Sequence, residues 1–449
     1  MPPNILLVFA DQWTFWALGV AGNRELRTPN LDRLAAEGVY FPYAVSGSPV
    51  CTPARASLLT GLRPDAHGLV INDAPLNPDL PSMGTYFAEA GYETAWIGKW
   101  HVDGHGRASY IPPERRHGFE TFQVLECTHE YNHSLYYSGD QKEQKVWPGY
   151  DAFAQTEAMQ SWIRGRTEEK PFFGVLSWGP PHSPYHTAPE KYKAHFAEAR
   201  LSPRGNVPEE LRARTIQELA GYYAHCEALD DCMGHLMQTL EEEGLRENTI
   251  VVFTSDHGDM LQSHGIRDKQ CPWDESLRIP MIMSGPGLKP GTQNDSLIEF
   301  MDLWPTLAGL AGIPVTMALH ARDLSSEVLS GGRPEDNSAF YASYVPFGNW
   351  RKFPLSHPLH TARESRGLRT LEWLYVEDLT GPWLLYDMKQ DPLQLNNLVD
   401  SPAHADLRRK FATQLAERRD CYDDAFLSGE AYVKRWGYET DADLTIMKR

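Results

Sequence analysis

The chain contains four apolar runs that each end in polar side chains able to bind a ligand. The runs cover residues 5–10, 93–98, 172–178 and 250–255. Apolar runs of this length with little alternation are typical of strands buried on both faces of a parallel sheet. Because the carboxyl ends of parallel strands share one edge, where ligands bind, we expect the polar residues that follow these runs to meet at one site.

Helical spacing appears between the runs. Residues 29–38 and 82–91 both end at a glycine, and residues 209–244 carry an apolar stripe at three- and four-residue steps. Strands that alternate with helices indicate a doubly wound sheet. We therefore predict an α/β fold with a large, mostly parallel sheet flanked by helices.

The pattern changes after about residue 335, where short mixed strands follow one another closely before a final helix. A small antiparallel α+β subdomain is the structure that this order favours. The glycine-rich stretch at residues 331–335 is a plausible boundary, which predicts a catalytic domain at 1–335 and a C-terminal subdomain at 336–449. The strands are expected at residues 339–344, 367–370, 372–376 and 383–387, and the helix at 403–422.

Composition narrows the class of protein. The 449 residues include 42 basic and 60 acidic side chains, for a net charge of −18, and 41% are hydrophobic, so the chain is neither disordered nor fibrous. The acidic balance argues against a nucleic-acid partner. No apolar run is long enough to cross a bilayer, so no membrane partner is expected. The start at Met1 shows no signal peptide, which predicts a cytoplasmic protein if Met1 is the native start, and a periplasmic or secreted one if a signal peptide was removed.

Cys51 stands apart from the other five cysteines, which show no metal-binding spacing. Pro53 and Gly61 suit the first turn and the end of a helix, so Cys51 is expected at a helix N-terminus. Free backbone N–H groups favour negative charge there, and Arg55 lies one turn along the same face. From the residues alone, this segment predicts a reactive thiolate beside an anion pocket.

Two pairs of candidate metal ligands follow two of the apolar runs. Asp11 and Gln12 end the first run, and Asp256 and His257 end the last. A single aspartate at a strand end is usually a cap, but two such pairs indicate a site for calcium or magnesium, because most of the ligand atoms are hard oxygens. A cation beside Cys51 and Lys99 would hold an anionic ester.

At this point the chain resembles the sulfatase family of the alkaline phosphatase superfamily. The stretch from Cys51 to Gly61 matches the family's C-x-P-x-R…L-T-G signature, and the resemblance runs from residue 4 to about residue 400. Further matches, in order, are Gly98-Lys99-Trp100-His101, His182-Ser183-Pro184-Tyr185, Asp256-His257-Gly258, His264 to Lys269, Glu275 to Pro280, and Leu385 to Leu398.

The resemblance implies a mechanism in which a maturation enzyme oxidises Cys51 to formylglycine. One oxygen of the hydrated aldehyde, on the metal and assisted by Arg55, would attack sulfur and expel the alcohol. Loss of a proton from the second hydroxyl would then release sulfate. The metal ligands would be Asp11, Gln12, Asp256, His257 and the modified Cys51, although many relatives have an aspartate where this chain has Gln12.

The resemblance also implies roles for four further side chains. Lys99 and Lys269 would bind sulfate oxygens. His101 would assist the proton removal, and His182 would donate a proton to the departing alcohol.

Substrate recognition is only weakly encoded. His129, Tyr131 and His133 lie in a stretch that follows an expected strand, and such side chains can stack on a sugar and bond its hydroxyls. Basic clusters, including one around Arg366, favour an anionic ligand. These clusters comprise His105, Arg107, Arg115 and Arg116; Arg351 and Lys352; and Arg363, Arg366 and Arg369. We hypothesise a sulfated carbohydrate substrate, with an aryl sulfate as an artificial one.

Two alternatives remain open from the sequence. One is a phosphodiester or phosphonate monoester hydrolase of the same superfamily, which shares the nucleophile and the metal. The other is an unconverted, inactive homologue that binds glycans through the same anion pocket.

Overall fold

A computed structural model describes residues 2–166, 170–348 and 363–447. Its strands are β1 (Asn4–Asp11), β2 (Val39–Tyr40), β3 (Glu93–Lys99), β4 (Thr121–Leu125), β5 (Leu135–Ser138), β6 (Gln141–Val146), β7 (Phe172–Pro181), β8 (Thr249–Ser255), β9 (Met281–Ser284), β10 (Thr292–Gln293), β11 (Ala339–Ser343), β12 (Ser365–Arg369), β13 (Trp373–Asp378) and β14 (Gly381–Asp387). Its α-helices are α1 (Pro29–Ala36), α2 (Cys51–Thr60), α3 (Pro64–His67), α4 (Met83–Glu89), α5 (Asp151–Arg164), α6 (Glu190–Phe196), α7 (Arg212–Glu242), α8 (Asp274–Leu277), α9 (Leu303–Leu310), α10 (Ser325–Ser330), α11 (Ala405–Cys421) and α12 (Gly429–Trp436).

The large sheet has ten strands in the order β10-β2-β9-β8-β1-β7-β3-β4-β5-β6. Its centre, from β8 through β1, β7 and β3 to β4, is parallel, and antiparallel strands β9 and β5 flank it. The predicted α/β fold with a mostly parallel sheet is therefore confirmed.

Strand β1 lies at the centre of the sheet and is buried throughout. Its odd-numbered apolar residues pack into one core cluster with α2, α4 and α9, and its even-numbered ones into another with α1, α5 and α7. Because both faces are covered, the strand has no need of polar alternation. This burial explains the continuous apolar run in the sequence.

The four predicted runs place their polar ends along one edge. In the parallel registers Phe9 pairs with Ser177, Ala10 with Ser255, and Gly98 with Ser177. The residues that follow these positions therefore leave the sheet side by side. Strand order brings together the groups from Asp11, Lys99 and Asp256.

The second sheet has four antiparallel strands in the order β11-β12-β13-β14, and helix α11 packs on it. This confirms the predicted small α+β unit. Phe340, Tyr375 and Leu415 of this unit belong to the same hydrophobic cluster as Phe9 and Trp304 of the main part. Because the two parts share this core, it marks no boundary between them, and the division at residue 335 stays a prediction.

Some elements differ from the sequence-based expectations. The β5–β6 hairpin was not predicted, because β6 is almost wholly exposed and polar and carries no apolar alternation. The strand expected to end at residue 178 continues to Pro181. Among the helices of the described residues, none combines the length and apolar character needed to cross a membrane.

Candidate active site

Helix α2 begins at Cys51 and presents it at the sheet edge. Val50 precedes it in extended conformation, and Gly61 ends the helix with φ of 67°, a left-handed conformation that favours glycine. All ten helix residues are buried, and Cys51 is only 2% exposed. The sequence-based helix and its N-terminal cysteine are as predicted.

Arg55 fixes the helix to the sheet. Its Nε donates to Asp256 Oδ2 at 2.9 Å, and its Nη2 lies 3.3 Å from Asp11 Oδ2. The remaining Nη1 donates to the carbonyl of Lys99 and to the Ser177 hydroxyl. The guanidinium is fully buried and bonded to four acceptors, so it orients both carboxylates.

Four candidate ligands form one buried group. Ligand atoms of Asp11, Cys51, Asp256 and His257 all lie within 4.8 Å of one another. His257 Nδ1 donates to the carbonyl of Gly258 at 2.9 Å, which leaves the lone pair of the neutral ring on Nε2. Nε2 lies 3.5 Å from an oxygen of each carboxylate. Acceptors that converge on one point in this way fit a divalent cation.

The amide of Gln12 is oriented by its two neighbours. Its Oε1 accepts a hydrogen bond from Lys269 Nζ at 2.7 Å, and its Nε2 donates to Asp259 Oδ2 at 2.8 Å. Asp259 also accepts from the Tyr185 hydroxyl. The oxygen of Gln12 therefore shares Lys269 Nζ with Cys51 Sγ, and it is an oxygen of the kind that a hard cation beside Cys51 would take as a ligand.

Two lysines bring positive charge to the cysteine. Lys99 Nζ pairs with Asp11 Oδ2, and Lys269 Nζ lies 3.1 Å from Cys51 Sγ. Burial raises the pKa of Cys51, as does Asp11, but Lys269, Lys99 and His257 bring that pKa well below its usual value. The neighbouring cations therefore stabilise negative charge at position 51, and they would stabilise a bound anion there in the same way.

The pKa values of the Asp256 and Asp11 carboxyls shift in opposite directions. Burial raises the pKa of Asp256, and the charge of nearby Asp11 raises it further. Burial also opposes ionisation of Asp11, but Lys99, His182 and Lys269 lower its pKa well below the usual range. A cation between the two groups would relieve their repulsion.

The two expected catalytic histidines have different partners. His182 Nδ1 donates to the carbonyl of Ser183 at 2.8 Å, and its ring stacks on His129 with centroids 4.5 Å apart. His101 Nε2 bonds Asp73 Oδ1 at 3.1 Å, while its Nδ1 is buried without a partner among the described residues. Burial lowers the pKa of His182, and Lys269 lowers it further.

The predicted substrate residues separate into two sets. His129 lines a surface cavity, and His133 is exposed nearby in sequence. Rather than a substrate contact, fully buried Tyr131 hydrogen-bonds the carbonyl of Gly179. Arg366 is likewise fully buried and pairs with Asp424, so its charge is matched inside the C-terminal unit.

The basic clusters are mostly neutralised by ion pairs, so they do not form the expected anion surface. Arg107 pairs with Asp73, and Arg369 with Asp274, and the other described arginines of the clusters have similar partners. These pairs are Arg115–Asp103, Arg116–Asp140 and Arg363–Asp378, and His105 also contacts Asp103. Arg351 and Lys352 lie outside the described residues.

Sequence reasoning missed several groups around the centre. Asp73 and Asp259 lie in loops and carry no motif of their own. Arg107 was named only as part of a basic cluster, without its contact to Asp73. Cys127 looked like an ordinary buried thiol. Burial raises its pKa, but His101 and Lys99 lower that pKa well below the usual value. Only folding brings these residues beside the site.

Comparison with known proteins agrees with the fold. The sulfatase family profile matches residues 3–313, and the profile for the C-terminal region of N-sulphoglucosamine sulphohydrolase matches residues 262–421. The chain therefore belongs to the sulfatase family, and its class of enzyme is the sulfuric ester hydrolases.

Individual relatives cover almost the whole chain. An ulvan-active sulfatase from Formosa agariphila is 39% identical over 443 residues, which cover 97% of this chain and 84% of the relative. A solved structure from Bacteroides fragilis, described as a sulfatase named yidJ, has a TM-score of 0.85 at 28% identity and covers 96% of this chain and 98% of its own. The phosphonate monoester hydrolase of Agrobacterium radiobacter, at 23% identity and a TM-score of 0.75 over 94% and 96% of the two chains, shares the fold.

Proposed function

We propose that this enzyme hydrolyses a sulfate monoester on a carbohydrate and that Cys51, converted to formylglycine, supplies the nucleophile. The observation that carries the proposal is the placement of Cys51 Sγ 3.2 Å from His257 Nε2 and 3.1 Å from Lys269 Nζ, at the start of a buried helix. Candidate cation ligands and fixed positive charges thus meet at one side chain.

The residues that would hold a divalent cation are Asp11, Gln12, Asp256 and His257, together with the modified position 51. Their mainly oxygen donors favour calcium, with magnesium as the alternative. Such a cation supplies positive charge that makes a bound hydroxyl more acidic. The converging acceptor atoms described above support this assignment.

The surrounding side chains would bind and orient the ester. Lys99 and Lys269 would bind sulfate oxygens, and Arg55, which pairs with both aspartates, would keep them in position. Of the His182 ring, only Nε2 remains for a ligand, because Nδ1 bonds a backbone carbonyl. We assign to Nε2 the role of donating a proton to the departing alcohol, because the negative charge of a bound ester would raise the pKa of the ring. His101 would accept a proton from position 51.

The carbohydrate substrate is inferred from relatives. The chain's match to an ulvan-active sulfatase and to an N-sulphoglucosamine sulphohydrolase profile supports a sulfated saccharide. An aryl sulfate would serve as an artificial substrate.

The test uses protein whose Cys51 peptide carries the aldehyde, as verified by mass spectrometry. Release of sulfate is measured from defined sulfated saccharides and an aryl sulfate, beside the matched aryl phosphodiester. We expect sulfate ester cleavage to be faster, and we expect Cys51→Ala to abolish it while circular dichroism stays unchanged. Faster phosphodiester cleavage would establish the related hydrolase instead. Absence of the aldehyde from the natural host, with glycan binding retained, would establish the inactive homologue.

A further inference from the structure

The surface cavity lined by His129 lies beside His182, since the rings of these two histidines stack on each other. It encloses about 640 Å³ and is lined by His129, Tyr185, Lys193, Phe196, Glu218 and Arg267, among others. This volume lies within the usual range for small-molecule pockets. We call it the Arg267 cavity.

Two contacts and one sequence neighbour connect the Arg267 cavity to the catalytic group. His129 stacks on His182 at 4.5 Å, and Tyr185 donates a hydrogen bond to Asp259, the carboxylate that orients Gln12. Arg267 is two residues from Lys269, whose Nζ contacts Cys51. The cavity therefore adjoins the catalytic group on the side of His182 and Asp259.

The charges in the cavity are incompletely balanced. Glu218 already receives the Arg214 Nε at 2.9 Å and the Gln262 amide at 2.7 Å, whereas Arg267 Nη2 remains 3.5 Å away, beyond good hydrogen-bond distance. The Arg267 side chain is 47% exposed. Its donors are consequently available to a ligand anion.

Lys193 of helix α6 provides a second cation in the lining of the cavity. Its only carboxylate partner among the described residues is Glu190 Oε1, at 2.6 Å, and the Glu190 side chain is 88% exposed. Solvent-exposed pairs of this kind contribute little free energy and exchange readily for another anion. In a chain with a net charge of −18, the cavity lining carries two cations, Arg267 and Lys193, and one carboxylate, Glu218, which Arg214 also pairs with.

We propose that the Arg267 cavity binds the part of the saccharide beyond the scissile ester, and that Arg267 and Lys193 select a saccharide with a second anionic group. This inference rests on the proposed function for the direction in which the chain extends. The anion is a carboxylate or a further sulfate, both of which match a guanidinium fork. Phe196 and Pro184 supply apolar surface for the sugar ring.

The test measures binding, so that turnover is not needed. Calorimetry is performed with the full-length Cys51→Ala protein and three tetrasaccharides. The first is unsulfated and carries hexuronate carboxylates, and the second is the same sugar with its carboxyls reduced to alcohols, which makes it neutral. The third is the reduced sugar carrying one sulfate. When Arg267→Ala and Lys193→Ala are added to this Cys51→Ala protein, we expect its affinity for both anionic sugars to fall at least about tenfold. Its affinity for the neutral sugar should fall much less. The two anionic arms identify which anion is preferred.

Matched controls remove equal charge outside the cavity. Arg214→Ala removes the other arginine that pairs with Glu218, and Lys191→Ala removes a neighbouring lysine that pairs with Asp231. Affinities in this Arg214→Ala/Lys191→Ala control should change less than about twofold, and melting curves verify folding. Equal losses for neutral and anionic sugars, equal losses in the control, or no measurable binding of any sugar would each overturn the proposal.

Aryl sulfate turnover by converted wild-type protein separates this result from the proposed function. Turnover without the charge-selective binding pattern would refute the cavity assignment alone. The binding pattern without turnover would refute the hydrolase assignment and leave a site for an anionic saccharide.

Discussion

His101 donates from Nε2 to Asp73 Oδ1 at 3.1 Å, and Arg107 holds the same carboxylate through two bonds of 2.9 and 2.7 Å. Because the carboxylate only accepts, the lone pair of the neutral His101 ring lies on Nδ1. Burial lowers the pKa of His101, but Cys127 and Asp73 raise it well above its usual value. Asp73 is therefore a positioning residue that sets both the tautomer and the basicity of the imidazole.

Replacing Asp73 with Asn should reduce kcat by about 10² while leaving KM nearly unchanged, because the ring loses its fixed tautomer. A base acts only when deprotonated, so activity falls as pH drops through its pKa. Since the amide of the Asp73→Asn variant carries no charge to raise that pKa, the acidic limb of the kcat/KM profile should move to lower pH. Asp140→Asn, which removes an exposed partner of Arg116, is the control. An unmoved limb would limit Asp73 to a structural role.

Gln12 and Asp259 should show strong coupling. Gln12→Asp at pH 8 places a carboxylate against Asp259 in place of a donating amide, and we expect a loss of about 1–3 kcal/mol in unfolding free energy. Adding Asp259→Asn restores a donor and should recover most of the loss. Denaturant unfolding of the two single variants and the double variant measures the coupling. Purely additive losses would contradict the hydrogen bond from Gln12 Nε2.

Divalent cations should stabilise the protein and support turnover. A chelator is expected to slow aryl sulfate hydrolysis and to lower the unfolding temperature, with both restored by calcium. Affinity should weaken from pH 8 to pH 6, because protons compete for Asp256, whose pKa is raised, and for His257. Calorimetry of the metal-free protein at both pH values provides the check. Unchanged turnover in chelator would eliminate the cation.

Asp274 of helix α8 forms an ion pair with the small sheet, and removal of this pair should be costly. It accepts two bonds of 3.0 Å from Arg369 of β12, and Arg278 also contacts it. Burial would raise the pKa of Asp274, but Arg369 and Arg278 lower it to about 2 from 3.8. The lowered pKa means that the charged Asp274 contributes about 2 kcal/mol to the free energy of unfolding above pH 4. This contribution is lost as pH falls toward 2.

Asp274→Asn should therefore reduce unfolding free energy by about 3–5 kcal/mol at neutral pH, since two buried arginines lose their counter-ion. The variant should also show a shallower loss of stability between pH 4 and pH 2. Glu372→Gln, which removes the exposed partner of Lys389, should cost under about 1 kcal/mol. Denaturant titrations over this pH range measure both. Equal effects of the two substitutions would contradict a special role for Asp274.

The sequence revealed those parts of the protein that depend on local pattern. Strand β1 was evident because both of its faces are buried, and helix α2 because Pro53 and Gly61 mark its ends. Strand β6 gave no signal, since its exposed polar residues resemble a loop.

For the site, strand-end residues such as Asp11 and Asp256 could be predicted from the pattern of apolar runs. Asp73 and Asp259 were not, because their roles arise from contacts with His101 and Gln12 across long separations in sequence. Arg366 shows the opposite error. A basic residue in a charge cluster suggested an exposed surface, whereas its burial with Asp424 depends on tertiary packing.

The 2% exposure of Cys51 also bears on the order of events during biosynthesis. Once α2 is fixed by Arg55 and covered by its neighbours, a separate protein has no access to the thiol. The proposed oxidation would therefore compete in time with folding, and any chain that folds first would remain permanently in the thiol form. The yield of active enzyme would then reflect the relative rates of these two processes, in addition to the amount of protein made.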